Sequence, residues 1–497
     1  MKTFSVKLVP LGKVIRARQG TPLMDILHEF GVEFPCGGKG SCGKCKVKVL
    51  DGVIETDQAH LDKLTELELE PEWRLACRSR CTEDLVLEVG QYETIIKADE
   101  TIFDFTPGKG TGIAIDIGTT TLVGQLMDLS TGHILAVETA MNSQRKFGSD
   151  LISRLESALH GDREEMVQLI RHQLGQMIES LCAGRTDSVQ KIVLVGNTVM
   201  QHFFCDYDIR ALSFYPFESP NLGAVALNTK KLEWSIHSES TMFYPSIGSF
   251  VGSDILAGIM ATGMHQREKY SVLIDLGTNG ELVVGNRERI VCASTAAGPA
   301  FEGAKISMGM LATTGAISTV RVERGDWQYG IIGNVEPLGI CGSGLIDVIA
   351  LLLNGGLLGD FGEILSGETE IQLAGEVVLT QKDIQEIQLA KSAISTGLEL
   401  LLRKLSIESD QIDRVFIAGG FGSYINLANV RRIGMIQYET ERMHQLGNSA
   451  LIGAKMFLFE KPSVADFILS ITNHINLESE SDFQDIFIEN LTFSQIP

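Results

Sequence analysis

Hydrophobic and polar residues alternate in short runs over residues 1–97 and predict a small β-rich domain. The runs FSVKLVP, KVIRA, KCKVKVLDG and DLVLEVG have the two-residue period of half-buried strands. The intervening LMDILHEF has the spacing of a brief amphipathic helix. Residues 98–110 contain Pro107 and two glycines and indicate a linker. The pattern therefore separates a first domain from the rest of the chain.

After the linker the apolar runs are longer and end in glycine turns, which is typical of buried strands. GIAIDIGTTTLVGQLMD at 112–128 predicts a strand, a turn and a second strand, and SVLIDLGTNGELVVGN at 271–286 repeats this pattern. The repeat predicts two similar α/β halves, at 111–268 and at 269–497 with a C-terminal tail. Long helical patterns lie between the strand segments, at 162–182 and 382–405.

Composition narrows the classes of partner and the compartment. The 497 residues carry a formal net charge of −21, which disfavours nucleic acid and anionic membrane surfaces, since both need Lys and Arg. The N-terminus shows no charged-then-apolar signal pattern, and the most apolar run, 345–359, is too short to span a bilayer. We therefore expect a cytoplasmic protein. In that reducing compartment nine cysteines indicate metal ligands or buried thiols rather than disulfides.

Four cysteines in the first domain have the spacing of an iron–sulfur site. Cys36, Cys42 and Cys45 form a C-x5-C-x2-C pattern in a glycine-rich loop, and Cys77 follows in the run RLAC. Four thiolates can hold a [2Fe–2S] cluster, although they also suit Zn²⁺. Cys81 is either a free thiol or an alternative ligand. The loop and the RLAC run resemble the vertebrate-type and bacterial [2Fe–2S] ferredoxins, and this resemblance implies a β-grasp fold.

Three glycine-containing segments of the two halves are candidates for nucleotide binding. Glycine and threonine in a turn between strands let backbone N–H groups and hydroxyls face a phosphate, and an adjacent aspartate can hold Mg²⁺ through water. The first turn contains Asp116, Gly118, Thr119 and Thr120, and the second contains Asp275, Gly277, Thr278 and Asn279. A third segment, with Gly419, Gly420 and Gly422, follows a buried strand and can lie against adenosine.

The three segments together resemble the ASKHA superfamily of acetate and sugar kinases, Hsp70 and actin. The resemblance implies two RNase H-like halves, phosphate motifs at 113–121 and 273–281, and an adenosine motif at 415–422. Asp116, Asp275 and Glu281 are then the candidate catalytic residues. Glu281 either orients the attacking water or is a solvated carboxylate at a strand edge.

One further glycine-rich segment allows two interpretations. Gly342, Ser343 and Gly344 either face the nucleotide from a helix N-terminus or serve close packing. The neighbouring Cys341 is predicted to be structural.

A ferredoxin-type domain joined to an ASKHA ATPase resembles the reductive activators of corrinoid enzymes. The stretches that carry this resemblance include NSQRKFGSDLISR, PSIGSFVGSD, STAAGPAFEGA and GNSALIGA. It implies a [2Fe–2S] cluster, ATP and Mg²⁺ as cofactors, and ATP-dependent one-electron reduction of Co(II) to Co(I) in the corrinoid protein of a methyltransferase system. It also implies an external low-potential electron donor, and it leaves a homodimer open. By analogy, the stretch 142–154 is a candidate for partner contact.

Three other functions remain open from the sequence. The nearest alternative is an ATP-dependent electron-donating activator of another low-potential enzyme. The two rivals from other classes are a redox-regulated ASKHA kinase and a non-catalytic redox sensor that binds nucleotide and a partner. The kinase interpretation predicts phosphate transfer to a metabolite, and the sensor interpretation predicts nucleotide binding without turnover.

Overall fold

A computed structural model describes most of the chain. The described residues are 2–9, 13–27, 40, 45–66, 71–88, 103, 105–182, 189–277, 279–295, 297–303, 305–313, 315–332, 335–422 and 425–493. The predicted ligands Cys36 and Cys42 and the turn residue Thr278 lie outside these residues.

The first domain contains a mixed five-stranded sheet in the order β2-β1-β7-β4-β5. Strands β1 and β7 are parallel and their other neighbours are antiparallel. One face of the sheet and the first helix bury a small apolar core that includes Val6, Leu8 and Leu27. The elements are β1 (Thr3–Val9), β2 (Lys13–Arg18), β3 (Thr21–Pro22), α1 (Leu23–Leu27), β4 (Lys46–Asp51), α2 (Gln58–Glu66), β5 (Trp73–Leu75), β6 (Arg80–Cys81) and β7 (Leu85–Glu88).

The next region is a six-stranded sheet in the order β10-β9-β8-β11-β13-β12. Strands β8, β11 and β13 are parallel, and the remaining pairs are antiparallel. The elements are β8 (Thr111–Ile117), β9 (Thr121–Asp128), β10 (Ile134–Met141), α3 (Leu151–Ser157), α4 (Arg163–Leu181), β11 (Val189–Gly196), α5 (Thr198–Cys205), α6 (Arg210–Ser213), β12 (Val225–Leu227), β13 (Ser238–Phe243) and α7 (Ser253–Thr262).

The last region contains a second six-stranded sheet, in the order β23-β22-β14-β15-β16-β24. Its strands are β14 (Tyr270–Leu276), β15 (Gly280–Gly285), β16 (Ile290–Thr295), β17 (Ala316–Glu323), β18 (Asp326–Ile331), β19 (Gly339–Ile340), β20 (Glu370–Gln372), β21 (Val378–Thr380), β22 (Ile412–Ala418), β23 (Met443–Gly447) and β24 (Thr472–His474). Its helices are α8 (Gly342–Asn354), α9 (Gln381–Leu405), α10 (Gly419–Gly422), α11 (Leu427–Arg432), α12 (Ser449–Phe459), α13 (Pro462–Ile471) and α14 (Phe483–Glu489).

The two large sheets share one topology. If the strands of each repeat are numbered from its first strand, β8 and β14, and the additional strands β12 and β24 are left out, both sheets have the order 3-2-1-4-5. The additional strands lie at opposite edges, β12 beside strand 5 of the first sheet and β24 beside strand 3 of the second. The predicted helical patterns correspond to α4 and α9, and α9 begins at a capping box formed by Thr380 and Asp383. The α/β repeat predicted from the two glycine turns is therefore confirmed.

Helices α7 and α12 join the two halves. They lie in one apolar cluster that also takes residues from β8 and β11 on one side and from β14 and β22 on the other. The helices approach so closely that a Cβ added at Gly453 would lie 1.9 Å from the carbonyl oxygen of Ala257. This packing brings the N-termini of both helices toward the same region between the sheets. Within the part of the chain that the structure describes, no helix is both long enough and apolar enough to cross a membrane.

Candidate functional site

The structure brings Cys45 and Cys77 together at the end of one strand pair. Strands β4 and β5 are antiparallel with Lys46 opposite Leu75, and the N–H of Ala76 donates to the carbonyl of Cys45 at 2.9 Å. Cys45 therefore precedes β4 beside the short turn that carries Cys77. The two sulfur atoms lie 3.2 Å apart, with Cys45 buried and Cys77 half-buried. Two converging thiols at this separation fit a shared metal centre.

Cys81 has different surroundings. It is fully buried on the short strand β6, and its thiol donates to the carbonyl of Glu83 at 3.5 Å. Burial is the main reason why the pKa of this thiol is raised, and a raised pKa disfavours the thiolate that a metal needs. The geometry therefore favours Cys77 over Cys81 as a ligand.

Gly40 places part of the cysteine loop beside Cys77. Its φ angle is +74°, and an added Cβ would lie 2.1 Å from Nε of Arg78. A side chain at this position would be strained by the backbone and would also collide with the residue that follows Cys77. Gly40 lies between Cys36 and Cys42 in sequence and packs against the residue that follows Cys77, and a four-cysteine cluster fits this placement of Gly40.

The first predicted phosphate turn connects β8 to β9. Asp116 is the penultimate residue of β8, and the N–H of Gly118 donates to the carbonyl of Thr121 at 3.1 Å, which closes the turn. Gly118, Thr119 and Thr120 are all partly exposed within it. The turn thus places glycine and threonine backbone at the carboxyl end of a central strand.

The second turn connects β14 to β15 and carries a carboxylate that the first turn lacks. Asp275 lies directly opposite Glu281 in the antiparallel register of these strands. The N–H of Gly277 donates to the carbonyl of Asn279 at 3.1 Å. Residues directly opposite across two strands present their side chains on the same face of the sheet. Glu281 is 7% exposed, which is inconsistent with the interpretation of a solvated strand-edge carboxylate.

The N-terminus of α12 contacts both turns. Asn448 caps this helix through Oδ1, which accepts from the N–H of Leu451 at 2.8 Å. Its Nδ2 donates to Oδ2 of Asp116 at 2.9 Å, and the hydroxyl of Ser449 donates to Oδ2 of Asp275 at 2.9 Å. One helix end therefore holds the aspartates of both halves.

Asp254 adds a fourth carboxylate to this region. It lies in the first turn of α7, where its own backbone and the N–H of Ile255 provide hydrogen bonds. Asp275 lies opposite Glu281, and adjacent residues of α12 hold Asp116 and Asp275. The charges of Asp116 and Asp275 also raise the pKa of Asp254, so Asp254 lies within electrostatic range of this group. The N-termini of α7 and α12 and the ends of β8 and β14 thus converge on a cluster of four acids.

Burial disfavours the ionised form of these four carboxyl groups. Desolvation raises the pKa of Asp116 to about 7, of Asp254 to about 8 and of Asp275 to about 6. It also raises the pKa of Glu281 well above its ordinary value, with further contributions from Asp254 and Asp275 and an opposing hydrogen bond from Asn279. A cation at this site would favour the ionised forms, because an opposite charge nearby lowers a carboxyl pKa.

Direct coordination of a metal by several of these acids is not evident. Among the described residues, no group of three or more His, Cys, Asp or Glu side chains is arranged to hold a metal ion. Mg²⁺ usually keeps several waters and uses one or two carboxylates together with phosphate oxygens. The cluster fits Mg²⁺ held through water, as predicted for Asp116, better than a closed protein site.

The predicted adenosine segment lies against the second turn. Gly419 has a φ angle of +89°, and an added Cβ would lie 2.3 Å from the carbonyl oxygen of Leu276 and 2.8 Å from Oδ1 of Asp275. Gly420, in contrast, is exposed and faces open space. Gly422 is buried against Ile417. The segment can therefore present bare backbone to a ligand beside the acid cluster.

The segment at the start of α8 is packed tightly. An added Cβ would lie 2.1 Å from the carbonyl of Phe301 at Gly342, and 2.3 Å from the carbonyl of Ile317 at Gly344. The hydroxyl of Ser343 donates to the carbonyl of Ser318 at 2.7 Å. These contacts support the packing interpretation. The buried thiol of Cys341 donates a hydrogen bond to the carbonyl of Ile317, which agrees with a structural role.

The stretch predicted by analogy to contact a partner is mostly interior. Asn142, the residues of the turn Ser143–Phe147, and Arg154 are all buried. Ile152 is exposed. Most of the stretch is therefore unavailable to a partner, because it packs behind the first phosphate turn.

Comparison with known proteins identifies the family. A corrinoid activation enzyme, RamQ of Eubacterium limosum, is 35% identical over 439 residues, which cover 80% of this chain and 74% of the relative. A reductase of the Co(II) methylated amine-specific corrinoid protein from Methanosarcina barkeri is 26% identical over 424 residues, 77% of each chain. This chain belongs to the family of corrinoid activation enzymes.

A solved structure of a family member agrees with the observed fold. The reductive activator for a corrinoid, iron–sulfur protein matches 99% of this chain and 98% of its own length, with a TM-score of 0.67 and 27% identity. Family models match a 2Fe-2S iron–sulfur cluster binding domain at 6–82, the middle region of RACo at 111–267 and the C-terminal ASKHA domain of RACo at 269–496. The predicted fold class, a ferredoxin-like domain followed by an ASKHA domain, is confirmed.

Three site residues were missed by sequence reasoning in this corrinoid activation enzyme: Asp254, Asn448 and Ser449. Each begins a helix, and two of the family-like stretches, PSIGSFVGSD and GNSALIGA, contain them. Polar residues at helix starts are ordinarily caps, so composition alone did not distinguish a cap from a site residue. Only the crossing of α7 and α12 brings the three side chains to the two aspartates.

Proposed function

We propose that this chain catalyses the ATP-dependent reduction of a corrinoid protein, returning its cobalt from Co(II) to Co(I). The observation that carries the proposal is the combination of a converging cysteine pair in a ferredoxin-like domain with a site where two phosphate turns surround four carboxyl groups. The family membership supports the choice of a corrinoid protein of a methyltransferase system as the partner. A cytoplasmic location and a homodimer stay predictions.

The cysteine site would hold a [2Fe–2S] cluster through Cys36, Cys42, Cys45 and Cys77. When bound, the cluster would supply one-electron storage between an external low-potential donor and the partner. The chain itself contributes thiolate ligands, a glycine backbone that approaches closely, and the buried strand ends that hold Cys45 and Cys77 together. Zinc is disfavoured as the occupant because the matched domain model describes a 2Fe-2S binding domain.

The acid site would hold Mg-ATP between the two turns. Backbone N–H groups of both turns and the N-termini of α7 and α12 favour phosphate oxygens, and the segment at 419–422 lies beside them for adenosine. Asp116 and Asp275 would bind Mg²⁺ through water. Glu281 and Asp254 are the candidates for orienting and deprotonating the attacking water. Glu281 lies directly opposite Asp275, and the pKa of Asp254, raised to about 8, suits a general base near neutral pH.

ATP is needed because the electron transfer is uphill. A potential difference of about 59 mV in a one-electron transfer corresponds to about 1.4 kcal/mol. A donor near −400 mV, which is typical of plant-type ferredoxins, could therefore face a shortfall of several kcal/mol against a lower-potential acceptor. Nucleotide can supply this energy only by favouring a conformation or complex in which transfer is easier.

An anaerobic optical assay tests the proposal. The reduced protein is mixed with Co(II) corrinoid protein from the same source, with and without Mg-ATP, and the Co(I) absorption band is followed. We expect a band that requires ATP. Its absence, with an intact [2Fe–2S] spectrum and several corrinoid proteins tried, would refute the proposal in favour of an activator of another enzyme or a redox-regulated kinase.

Two variants distinguish electron transfer to cobalt from ATP hydrolysis. Cys42→Ala should abolish cobalt reduction and spare most of the ATP hydrolysis, because the thiolates and the acid cluster are separate sites. Asp275→Ala should abolish hydrolysis and spare the cluster absorption. Cobalt reduction by Cys42→Ala at the wild-type rate would show that the cluster is not the electron relay.

A further inference from the structure

Two buried side chains hold the carbonyl groups of the first phosphate turn from behind. Nδ2 of Asn142 donates to the carbonyl of Gly118 at 2.9 Å, and Nη2 of Arg154 donates to the carbonyl of Thr119 at 2.6 Å. The two side chains are 1% and 0% exposed. Both carbonyls therefore point toward the protein interior.

Because peptide groups are planar, these two contacts also fix the direction of the N–H groups that follow Gly118 and Thr119. In a trans peptide, the C=O of one residue and the N–H of the next point in opposite directions. A Gly118 carbonyl directed inward turns the N–H of Thr119 outward, and a Thr119 carbonyl directed inward turns the N–H of Thr120 outward. Successive N–H groups on one side of a turn form an anion-binding concavity.

We propose that Asn142 and Arg154 are positioning residues that aim the N–H groups of Thr119 and Thr120 at a nucleotide phosphate. This inference rests on the proposed function and deepens it. Arg154 also places a cationic guanidinium directly behind the turn, which favours an anion in front of it.

Further contacts fix both side chains. The backbone N–H of Asn142 donates to the carbonyl of Thr120 at 2.9 Å, and its Oδ1 accepts from the N–H of Gln144 at 3.0 Å. Nε of Arg154 donates to the carbonyl of Gly148 at 2.9 Å. A buried guanidinium is costly unless its donors are satisfied, so its placement against two carbonyls is specific rather than incidental.

Three ligands that differ in their number of phosphates distinguish a positioning role from a merely structural one. The affinities of the full chain for adenosine, ADP and ATP are measured by calorimetry for the wild type and for Arg154→Met, Arg154→Lys and Asn142→Ala. We expect Arg154→Met to weaken ADP and ATP by about tenfold or more, with adenosine unchanged, and Arg154→Lys to recover part of the loss. Asn142→Ala provides the same test should Arg154→Met fail to fold.

Gln144→Leu is the matched control. Gln144 is buried in the same turn, Ser143–Phe147, but its amide donates to the carbonyl of Met166 rather than to the phosphate turn. It should leave the ratio of ATP to adenosine affinity unchanged. Equal losses for all three ligands, or no loss for a folded Arg154→Met and a folded Asn142→Ala, would overturn the inference. A wild type that binds neither ADP nor ATP would instead refute the proposed function.

Helix α12 carries a second, independent inference. Its N-terminus contacts Asp116 and Asp275 through Asn448 and Ser449. At its other end, the ring of Phe459 lies 4.5 Å from that of Phe105 and 5.7 Å from that of Phe103. Both of these phenylalanines belong to the segment that connects the ferredoxin-like domain to the ATPase.

The geometry points to α12 as a mechanical link between the nucleotide site and this linker. The helix has 11 residues, and a helix of that length spans about 16 Å. A shift of Asn448 and Ser449 when nucleotide binds would therefore displace Phe459 and the linker that packs on it. Such a displacement would change the position of the ferredoxin-like domain, which also deepens the proposed function.

Trypsin cleavage after the exposed Lys109 reports on the linker. In the wild type we expect the cleavage rate to differ by about threefold or more between nucleotide-free and ATP-bound protein, because cleavage follows local opening. Phe459→Ala should remove this difference while ATP hydrolysis stays within about twofold of the wild type.

Phe467→Ala, at a half-exposed phenylalanine of α13, is the control and should keep the wild-type response. A nucleotide-dependent cleavage rate that persists in Phe459→Ala would overturn this inference. So would a wild type that hydrolyses ATP with no change in cleavage. A wild type that does not hydrolyse ATP would refute the proposed function instead.

Discussion

The two phosphate turns occupy the same place in the same topology, yet they differ in length and in chemistry. The first turn closes between Gly118 and Thr121, and the second between Gly277 and Asn279, which is one residue shorter. The residue opposite the aspartate is Val123 in the first turn and Glu281 in the second. Both turns therefore contain an aspartate, but only the second turn has another acid opposite it.

The supports of the two aspartates differ as well. Asp275 is held by Ser449 of its own half, whereas Asp116 is held by Asn448 across the interface between the halves. The carbonyls of the first turn are also held by Asn142 and Arg154. We infer a division of labour in which the first turn binds phosphate and the second turn carries the acid that assists hydrolysis.

Replacement of Glu281, the acid that has no counterpart in the first turn, should have the greatest consequence for catalysis. Glu281→Gln should lower kcat for ATP hydrolysis by about 100-fold and leave KM for ATP nearly unchanged, because general-base assistance contributes about that factor. Steady-state kinetics with phosphate detection measures both values. A base at this position also predicts that the acidic limb of the pH–rate profile disappears in the variant.

Val123→Ala is the matched variant on the first turn. It removes apolar contacts and should cost about 1–2 kcal/mol of stability, with kcat within about twofold of the wild type. Equal losses of kcat in Glu281→Gln and Val123→Ala would contradict a division of labour between the turns.

The two contacts at the N-terminus of α12 should have intermediate and unequal effects on KM for ATP. Asn448→Ser keeps a residue that can cap α12 but shortens the side chain that reaches Asp116, and we expect KM for ATP to rise by about tenfold. Ser449→Ala removes a contact within one half, and we expect a rise of about threefold. Steady-state kinetics measures both KM values, and a larger effect for Ser449→Ala would contradict the greater weight given to the contact across the interface.

The smallest effect concerns stability and pH. The pKa values of Asp116, Asp254 and Asp275 are raised to about 6–8 in the folded chain, above the unfolded value of about 3.9. The folded state then keeps protons that the unfolded chain loses, so the contribution of these three groups to the stability of the nucleotide-free protein falls as pH rises from about 4 and levels off above about 8.

Asp254→Asn removes one of these groups. Its apparent melting temperature should exceed that of the wild type by about 2 °C or more at pH 8, and by nothing measurable at pH 4, where the carboxyl is protonated in both states. Differential scanning fluorimetry without nucleotide measures both. A gain that is the same at both pH values would show that the effect is packing rather than ionisation.

Much of this picture was accessible from the chain alone, because it depends on local pattern. The strand, glycine turn and strand of each repeat follow from apolar runs that end in Asp-x-Gly-Thr. The positions of Asp116, Asp275 and Glu281 follow from the same runs. The spacing of Cys42 and Cys45 and the RLAC run around Cys77 were equally visible, and these ligand assignments stay predictions.

The remaining features depend on contacts between residues far apart in sequence. Asn448 and Asp116 are separated by 332 positions, and Arg154 and Thr119 by 35. No periodicity encodes such pairs, because they arise only when α7 crosses α12 and when α3 packs behind the first turn. For the same reason, the approach of Cys45 to Cys77, which supports the choice of Cys77 made from the RLAC run, depends on the register of β4 and β5.

Strand period, glycine turns and cysteine spacing are local properties, so the ferredoxin-like domain, the repeated α/β unit and the type of chemistry expected of each could be predicted from the residues alone. Which acids lie together, which helix end holds Asp116 and Asp275, and which buried side chains contact the first phosphate turn became visible only in the folded chain. Those features follow from burial and from helix crossing, because desolvation and close packing exist only once distant segments have met.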